Sequence, residues 1–354
     1  MKLWIEYLTP KQLMFYKPII DEAEKRGWRV LVTTRRYREV NFLTKLLKVN
    51  SIAIGKYGGG DLSSKLACSI NRMKRLTALI REFKPDVAIS TSPDAARVAF
   101  GLGIPHILVN DSPHSIAVAK LTVPLSSKLL TPWVIPVDAW VKYGISSSDV
   151  VQYKALDPAM WLKRLNIKLK PAIPKAKYKH IIVMRVEEVH ASYMMIEKPT
   201  LLEEPIRRLA LKVPEALIIV LPRYDWQMKY LKSRFKDLSN IKIPSKPLYG
   251  PSLLKIASIF IGSGGTMTCE AALMGVPAYS YYPKELMYVE KFLIDFGLLK
   301  RIKCDEIVEI AISSLSDIDE LKAKHQELSS KLWSIMEDPL PVAMKVIESF
   351  YSKV

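Results

Sequence analysis

The chain has 354 residues, 49% of them hydrophobic and 25% charged, which is too long for one ordinary domain and enough for two cores. No apolar run approaches the ~18 to 20 residues of a membrane span, and the opening MKLWIEYLTPKQ reads as a first strand rather than a leader. The net charge of +18 fits a solvated basic surface first and an anionic ligand or membrane second; nucleic acid is not expected, because no recognised nucleic-acid module is present.

Strand-like runs alternate with helical patterns from the start. KLWIEYL is followed by a helix near 13 to 26, then WRVLVTT, a helix, SIAIGK, and an amphipathic helix through Ile70 to Phe83. PDVAIST, a helix from Asp94 to Leu102, and PHILVND come next. This β-α-β rhythm with nearly continuous apolar strands predicts a parallel sheet covered on both faces. The rhythm weakens near 140 to 178, where LKPAIPKAKYK is rich in proline and lysine and reads as a linker. It then restarts with HIIVMRV, ALIIVLP, NIKIP, IFIGSGG and PAYSYY, each followed by a helical stretch. The expected domains are residues 1–166, a linker at 167–178, residues 179–336, and a terminal helix at 337–354 packing back on the first domain. Ligands of such sheets bind beyond the carboxyl ends of the strands.

The stretch IGSGGTMTCEAALMGVP, residues 261 to 277, is the most informative. Gly262, Ser263, Gly264, Gly265 and Thr266 join a buried strand to a short helix, and Gly275 with Pro277 ends that helix. Bare backbone and free amides at a helix N-terminus make an anion site, aided by the helix dipole. A P-loop would need Lys-Ser/Thr after its last glycine, and a G-x-G-x-x-G fingerprint would need glycine where Met267 stands. A tight strand-to-helix turn without a ligand is the plainer alternative. Glu270, one turn into the helix, suits two ribose hydroxyls and is expected on the ligand side rather than in the core.

The spacing Ser263-Gly264, Glu270, Gly275, Pro277 resembles the donor-binding helix of GT-B glycosyltransferases, above all the N-acetylglucosaminyltransferase of peptidoglycan synthesis. UDP-N-acetylglucosamine 2-epimerases share that fold and a similar Ser-Gly-Gly turn, with a run to Gly-x-Pro one residue shorter. Over nearly its full length the chain resembles a largely archaeal family, domain of unknown function 354, through PDVAISTSPDAARVAFGLGIP, VNDSPHSIA, MRVEEVHASY, VLPRYDWQ and GSGGTMTCEAALMGVPAYSYYP. These resemblances imply an α/β, GT-B-like chain: two Rossmann-like, doubly wound parallel-sheet domains facing a cleft. They also imply that the glutamate holds the nucleotide ribose and the glycine turn its diphosphate. The family's first loop is expected to carry His-Pro; this chain has Thr9-Pro10 and no histidine there.

Other candidates lie at strand ends. Asp94 follows the helix-capping Ser92-Pro93 pair, which capping alone explains. Asp111 and His114 follow VN and fit an acid/base pair, although Asp111 is equally explained as a turn former before Pro113. Arg185, with Glu188 just beyond it, and Arg223 are strand-end residues of the second half; the arginines suit a diphosphate clamp. His190 is a weaker candidate. Met184 stands where epimerases carry histidine, which counts against epimerisation. No His, Cys or carboxylate cluster has metal-ligand spacing, so neither a metal nor another cofactor is expected. The three scattered cysteines suit a reducing cytoplasm.

The expected function is metal-independent glycosyl transfer from a nucleotide-diphosphate sugar. A sugar-nucleotide epimerase and a non-catalytic nucleotide-sugar-binding protein remain as alternatives. The catalytic set is Asp111, His114 and Asp94; the binding set is Gly262, Ser263, Gly264, Gly265, Thr266, Glu270, Arg185, Glu188 and Arg223. The expected partners are the nucleotide sugar, a lipid-linked or other glycan acceptor, and an anionic membrane at whose inner face a cytoplasmic enzyme sits peripherally.

Overall fold

The computed structural model describes residues 1–164, 177–188 and 199–351. It divides into two compact units, Met1–Leu165 with Met336–Val354, and Asn166–Ile335. The helix Pro339–Glu348 therefore belongs to the first unit, although the chain reaches it only after completing the second.

In the first unit the strands are β1 (Lys2–Glu6), β2 (Arg29–Arg36), β3 (Ile52–Lys56), β4 (Val87–Ser90), β5 (His106–Val109), β6 (Lys128–Pro132) and β7 (Val150–Tyr153). Its helices are α1 (Pro10–Lys25), α2 (Arg38–Leu46), α3 (Leu62–Phe83), α4 (Pro93–Gly101), α5 (Ile116–Thr122), α6 (Asp138–Val141) and α7 (Ala159–Leu162). The seven strands form one parallel sheet in the order β3-β2-β1-β4-β5-β6-β7. Strand order reverses between β1 and β4, so the loops after these strands part there and leave a crevice. β4 and β5 are buried at every position, which explains the apolar runs at 87–89 and 107–109 within them.

In the second unit the strands are β8 (His180–Arg185), β9 (Ala216–Leu221), β10 (Ile241–Lys242), β11 (Ile259–Gly262), β12 (Ala278–Ser280) and β13 (Lys300–Arg301). Its helices are α8 (Glu203–Lys212), α9 (Asp225–Arg234), α10 (Gly250–Leu254), α11 (Thr266–Leu273), α12 (Tyr288–Asp295), α13 (Ile307–Ser316) and α14 (Ile318–Ile335); the helix Pro339–Glu348 is α15. The six strands are again all parallel, in the order β10-β9-β8-β11-β12-β13. Here the order reverses between β8 and β11. One apolar core runs from Ile182, Met184, Ile218 and Ile261 on the sheet to Ile206 and Leu209 of α8 and Ile307, Val308 and Ala311 of α13.

Candidate functional site

The β11–α11 turn lies at the switch point of the second sheet. Gly264 (φ +75°) and Gly265 (φ +84°) both take left-handed backbone, which glycine adopts without a Cβ penalty. Gly262 serves packing instead: a Cβ there would come within 2.8 Å of the Phe260 ring. Gly265 is the N-cap of α11, and no side chain caps that helix. Its first internal bond runs from Cys269 N to Gly265 O, so the amides of Thr266, Met267 and Thr268 precede the hydrogen-bonded ladder. Ser263 beside them is buried.

Strand register brings Arg185 to the same place, because Gly262 of β11 pairs with Arg185 of β8, which in turn pairs with Leu221 of β9. Tyr281 donates its hydroxyl to the Arg185 carbonyl at 2.9 Å, and Arg185 Nη1 donates to Pro222 O at 3.1 Å. Arg223 is steadied by Nε donation to Val186 O (3.1 Å) and stands 3.8 Å from Glu188 Oε2. Glu188 thus meets Arg223 directly. His190 lies outside the described residues.

Glu270 is only 1% exposed, which corrects the expectation that it stands clear of the core. It packs against α10, where an added Cβ on Gly250 would lie 3.1 Å from Glu270 Oε2. The pKa of Tyr249 beside it is raised by burial and by the Glu270 charge. A carboxylate that no sequence signal marked, Glu290 of α12, also borders the turn: its Oε2 would be 3.5 Å from a Cβ on Gly264. Glu290 is 3% exposed, and neither of its oxygens has a hydrogen-bond partner of good geometry. Burial raises its pKa, against the pull of the Ser280 hydroxyl and Arg301.

At the carboxyl edge of the first sheet the structure brings Asp111 and His114 together and sets Asp94 elsewhere. Asp111 meets Lys11 of α1 at 2.5 Å, and the same ammonium meets Asp157 at 2.7 Å. Burial would raise the Asp111 pKa, but the Lys11 charge and the Ser112 hydroxyl hold it below the ordinary value. In Asp157, buried deeper and bonded to the Tyr153 hydroxyl, burial prevails and the pKa is raised. His114 is half-buried; burial lowers its pKa and the Asp111 charge partly opposes this. Lys11 escaped sequence reasoning because nothing distinguishes a lysine after Thr9-Pro10 from a surface lysine. Thr9, standing where a histidine was expected, is the N-cap of α1 and accepts from Gln12 N at 3.4 Å.

Asp94 belongs to a buried ion network instead. It accepts from Ser69 Oγ (2.5 Å), Arg72 Nη1 (3.2 Å) and Arg97 Nη2 (3.1 Å), while Arg72 also grips Glu6 through two bonds of 2.8 and 2.6 Å. Among the described residues no three His, Cys, Asp or Glu side chains gather as a metal site would require. No helix among them is long and apolar enough to cross a membrane.

Two parallel-sheet α/β units, each with its switch point at a carboxyl edge, define a GT-B-like protein. The chain belongs to the family described as protein of unknown function (DUF354), whose model matches residues 1–343. An uncharacterized protein of Methanocaldococcus jannaschii is 32% identical over 326 residues, covering 87% of this chain and 89% of that protein. Among solved structures, UDP-GlcNAc 2-epimerase from Neisseria meningitidis bound to UDP-GlcNAc has a TM-score of 0.75 at 18% identity, with 100% of both chains covered. The glycotransferase of kitacinnamycin has a TM-score of 0.63 at 14% identity, covering 99% of this chain and 98% of that one. At these identities the two structures share the fold.

Proposed function

We propose that this chain is a metal-independent glycosyltransferase whose second unit holds a nucleoside-diphosphate sugar. The observation that carries the reading is the β11–α11 turn, a helix N-terminus left uncapped by side chains, with Arg185 placed beside it by strand register. The diphosphate lies on the α11 amides, and Arg185 and Arg223 supply the fixed positive charge that a departing nucleoside diphosphate needs. Glu270 takes the ribose hydroxyls after a shift of α10 or of its own carboxylate, since it is packed behind Gly250. Glu290, with its two unpartnered oxygens, accepts from hydroxyls of the sugar.

In the first unit His114 acts as the proton acceptor and Asp111 as its partner. The depressed pKa of His114 leaves the imidazole neutral at pH 7, as a base must be. The acceptor hydroxyl gives its proton to His114 as its oxygen attacks the anomeric carbon, and the bond to the diphosphate oxygen breaks. The Asp111 carboxylate, kept charged by Lys11, stabilises the imidazolium that forms. Asp94 takes no part in this scheme.

The test is a panel of UDP-, GDP-, ADP- and CDP-sugars in excess EDTA, read by calorimetry and by nucleoside-diphosphate release with an acceptor panel. Asp111→Asn is expected to slow release by ~10²-fold or more, and Glu270→Ala to weaken donor binding. Deuterium appearing at the sugar C2 in heavy water without acceptor would identify an epimerase instead. Donor binding with neither outcome would identify a non-catalytic binding protein.

A further inference from the structure

The first unit carries a second basic centre that the reaction above does not use. Between Thr34 and Arg36 the β2–β3 register slips: Thr34 pairs with Ala53 and Arg36 with Lys56, so β3 holds one extra residue. Gly55 (φ +73°) lies in that irregularity. Such bulges bend a strand and re-aim its side chains. The Arg35 guanidinium lies 5.0 Å from the centroid of the Tyr57 ring and 6.0 Å from that of Tyr37, and the two rings are themselves 5.4 Å apart.

Charge around this arginine does not balance. Burial and the neighbouring Arg72 charge both lower the Arg35 pKa. The Asp94 charge opposes that lowering, but Asp94 is already engaged by Arg72 and Arg97. Arg35 Nε is buried without a hydrogen-bond partner, and Arg35 forms no ion pair among the described residues, not even with Glu39 of α2. Arg35 is half-buried, and a guanidinium drawn partly out of water without an ion-pair partner is unfavourable. Arg36, Arg38 and Lys56 add further positive charge nearby in the chain. A planar fork held on two aromatic rings is preorganised for an oxyanion, and a doubly charged phosphoryl group answers the surplus better than a carboxylate.

We propose that Arg35, framed by Tyr37 and Tyr57 at the carboxyl end of β2, is a phosphate-binding site built from different residues than the β11–α11 turn. Its ligand is a phosphomonoester, carried either by a small soluble molecule or by a lipid headgroup. The site stands on the first unit alone and does not depend on the transferase reading.

Wild type, Arg35→Gln and Arg35→Lys are titrated with glycerol phosphate by calorimetry and sedimented with phosphatidic acid vesicles, phosphatidylserine vesicles of matched surface charge serving as control. UDP binding is measured in parallel as a readout of the second unit. At least a tenfold loss of glycerol phosphate affinity in Arg35→Gln, with UDP binding unchanged, establishes the site with a soluble ligand. An equal loss confined to phosphatidic acid vesicles establishes it with a lipid ligand. Arg35→Lys is expected to fall between the two, since it keeps the charge and loses the fork. Arg35→Gln should also unfold at a higher temperature than wild type without ligand, because it removes a half-buried charge that has no ion-pair partner; an arginine serving only the fold would lower it. Unchanged phosphate binding on both arms, or a lowered unfolding temperature without a binding defect, overturns the proposal.

Discussion

His106 shows how one residue ties the sheet to pH. It is fully buried on β5, with Nε2 2.8 Å from Ser90 Oγ and Nδ1 2.8 Å from Ser126 Oγ. Burial pushes its pKa down to about 3, from 6.5. Below pH 6.5 the unfolded chain takes up a proton that the folded chain refuses, so stability falls as pH falls, and the loss continues until pH nears 3. The slope is about 1.4 kcal/mol per pH unit from this group. In urea unfolding between pH 6.5 and 5, His106→Gln is expected to lose stability less steeply than wild type by about that amount; parallel slopes would show that the ring is not held neutral. The sequence left His106 out of the catalytic set, which suits this place. It marked Asp94 as a catalytic candidate from a strand-end position, whereas Arg72, twenty-two residues earlier on α3, claims the carboxylate. A long-range ion pair of this kind has no local pattern. Lys11, Glu290 and Arg35 were missed for the same reason, since their meaning lies in partners, or in missing partners, that only the fold supplies.

Elements were more legible than residues wherever hydrophobic period and turn chemistry agreed. β9, β11 and the IIVM stretch of β8 stood out as unbroken apolar runs because they are buried on both faces. β6, β7 and β13 did not: KLLTP carries proline, VVQY is half-exposed, and β13 is the two charged residues Lys300–Arg301 on a sheet edge. The β11–α11 turn was readable because its glycines meet a strict backbone demand. Gly265 combines φ +84° with ψ −161°, a region reserved almost wholly for glycine, yet nothing lies within 4 Å of an added Cβ. Gly265→Ala therefore isolates backbone strain from crowding. It is expected to cost about 1 to 3 kcal/mol of stability and to abolish nucleotide-sugar binding by moving the α11 amides. Gly264→Ala adds a 2.9 Å approach to Met287 Cε, which Met287→Ala should relieve without restoring binding. Wild-type calorimetric affinity in Gly265→Ala would mean that the turn shapes the chain and holds no diphosphate.

At the scale of the whole molecule the unexplained quantity is charge. The first unit carries more than half of the net +18, and many of its basic residues lie on α2, α3 and the β2 end. Surface ion pairs are present, Lys17–Asp21 and Lys128–Asp149 among them, but each contributes well under about 1 kcal/mol, so they do not account for so large a surplus. A fold needs no such excess, and self-repulsion among like charges works slightly against compactness. A long-range field toward an anionic surface is a physical use for it: each basic group near a charged bilayer contributes about 1 kcal/mol, within a Debye length of about 8 Å at physiological salt. We expect the protein to sediment with vesicles containing phosphatidylglycerol and not with neutral phosphatidylcholine vesicles at low salt, and to leave the former at ~1 M salt, where the Debye length is about 3 Å. Neutralising Lys74 and Arg75 on α3, both exposed and outside the ion network of Arg72, should weaken retention while leaving donor binding intact. Equal recovery on neutral and anionic vesicles at low salt would exclude membrane attraction and leave a solvated basic surface as the account of the charge.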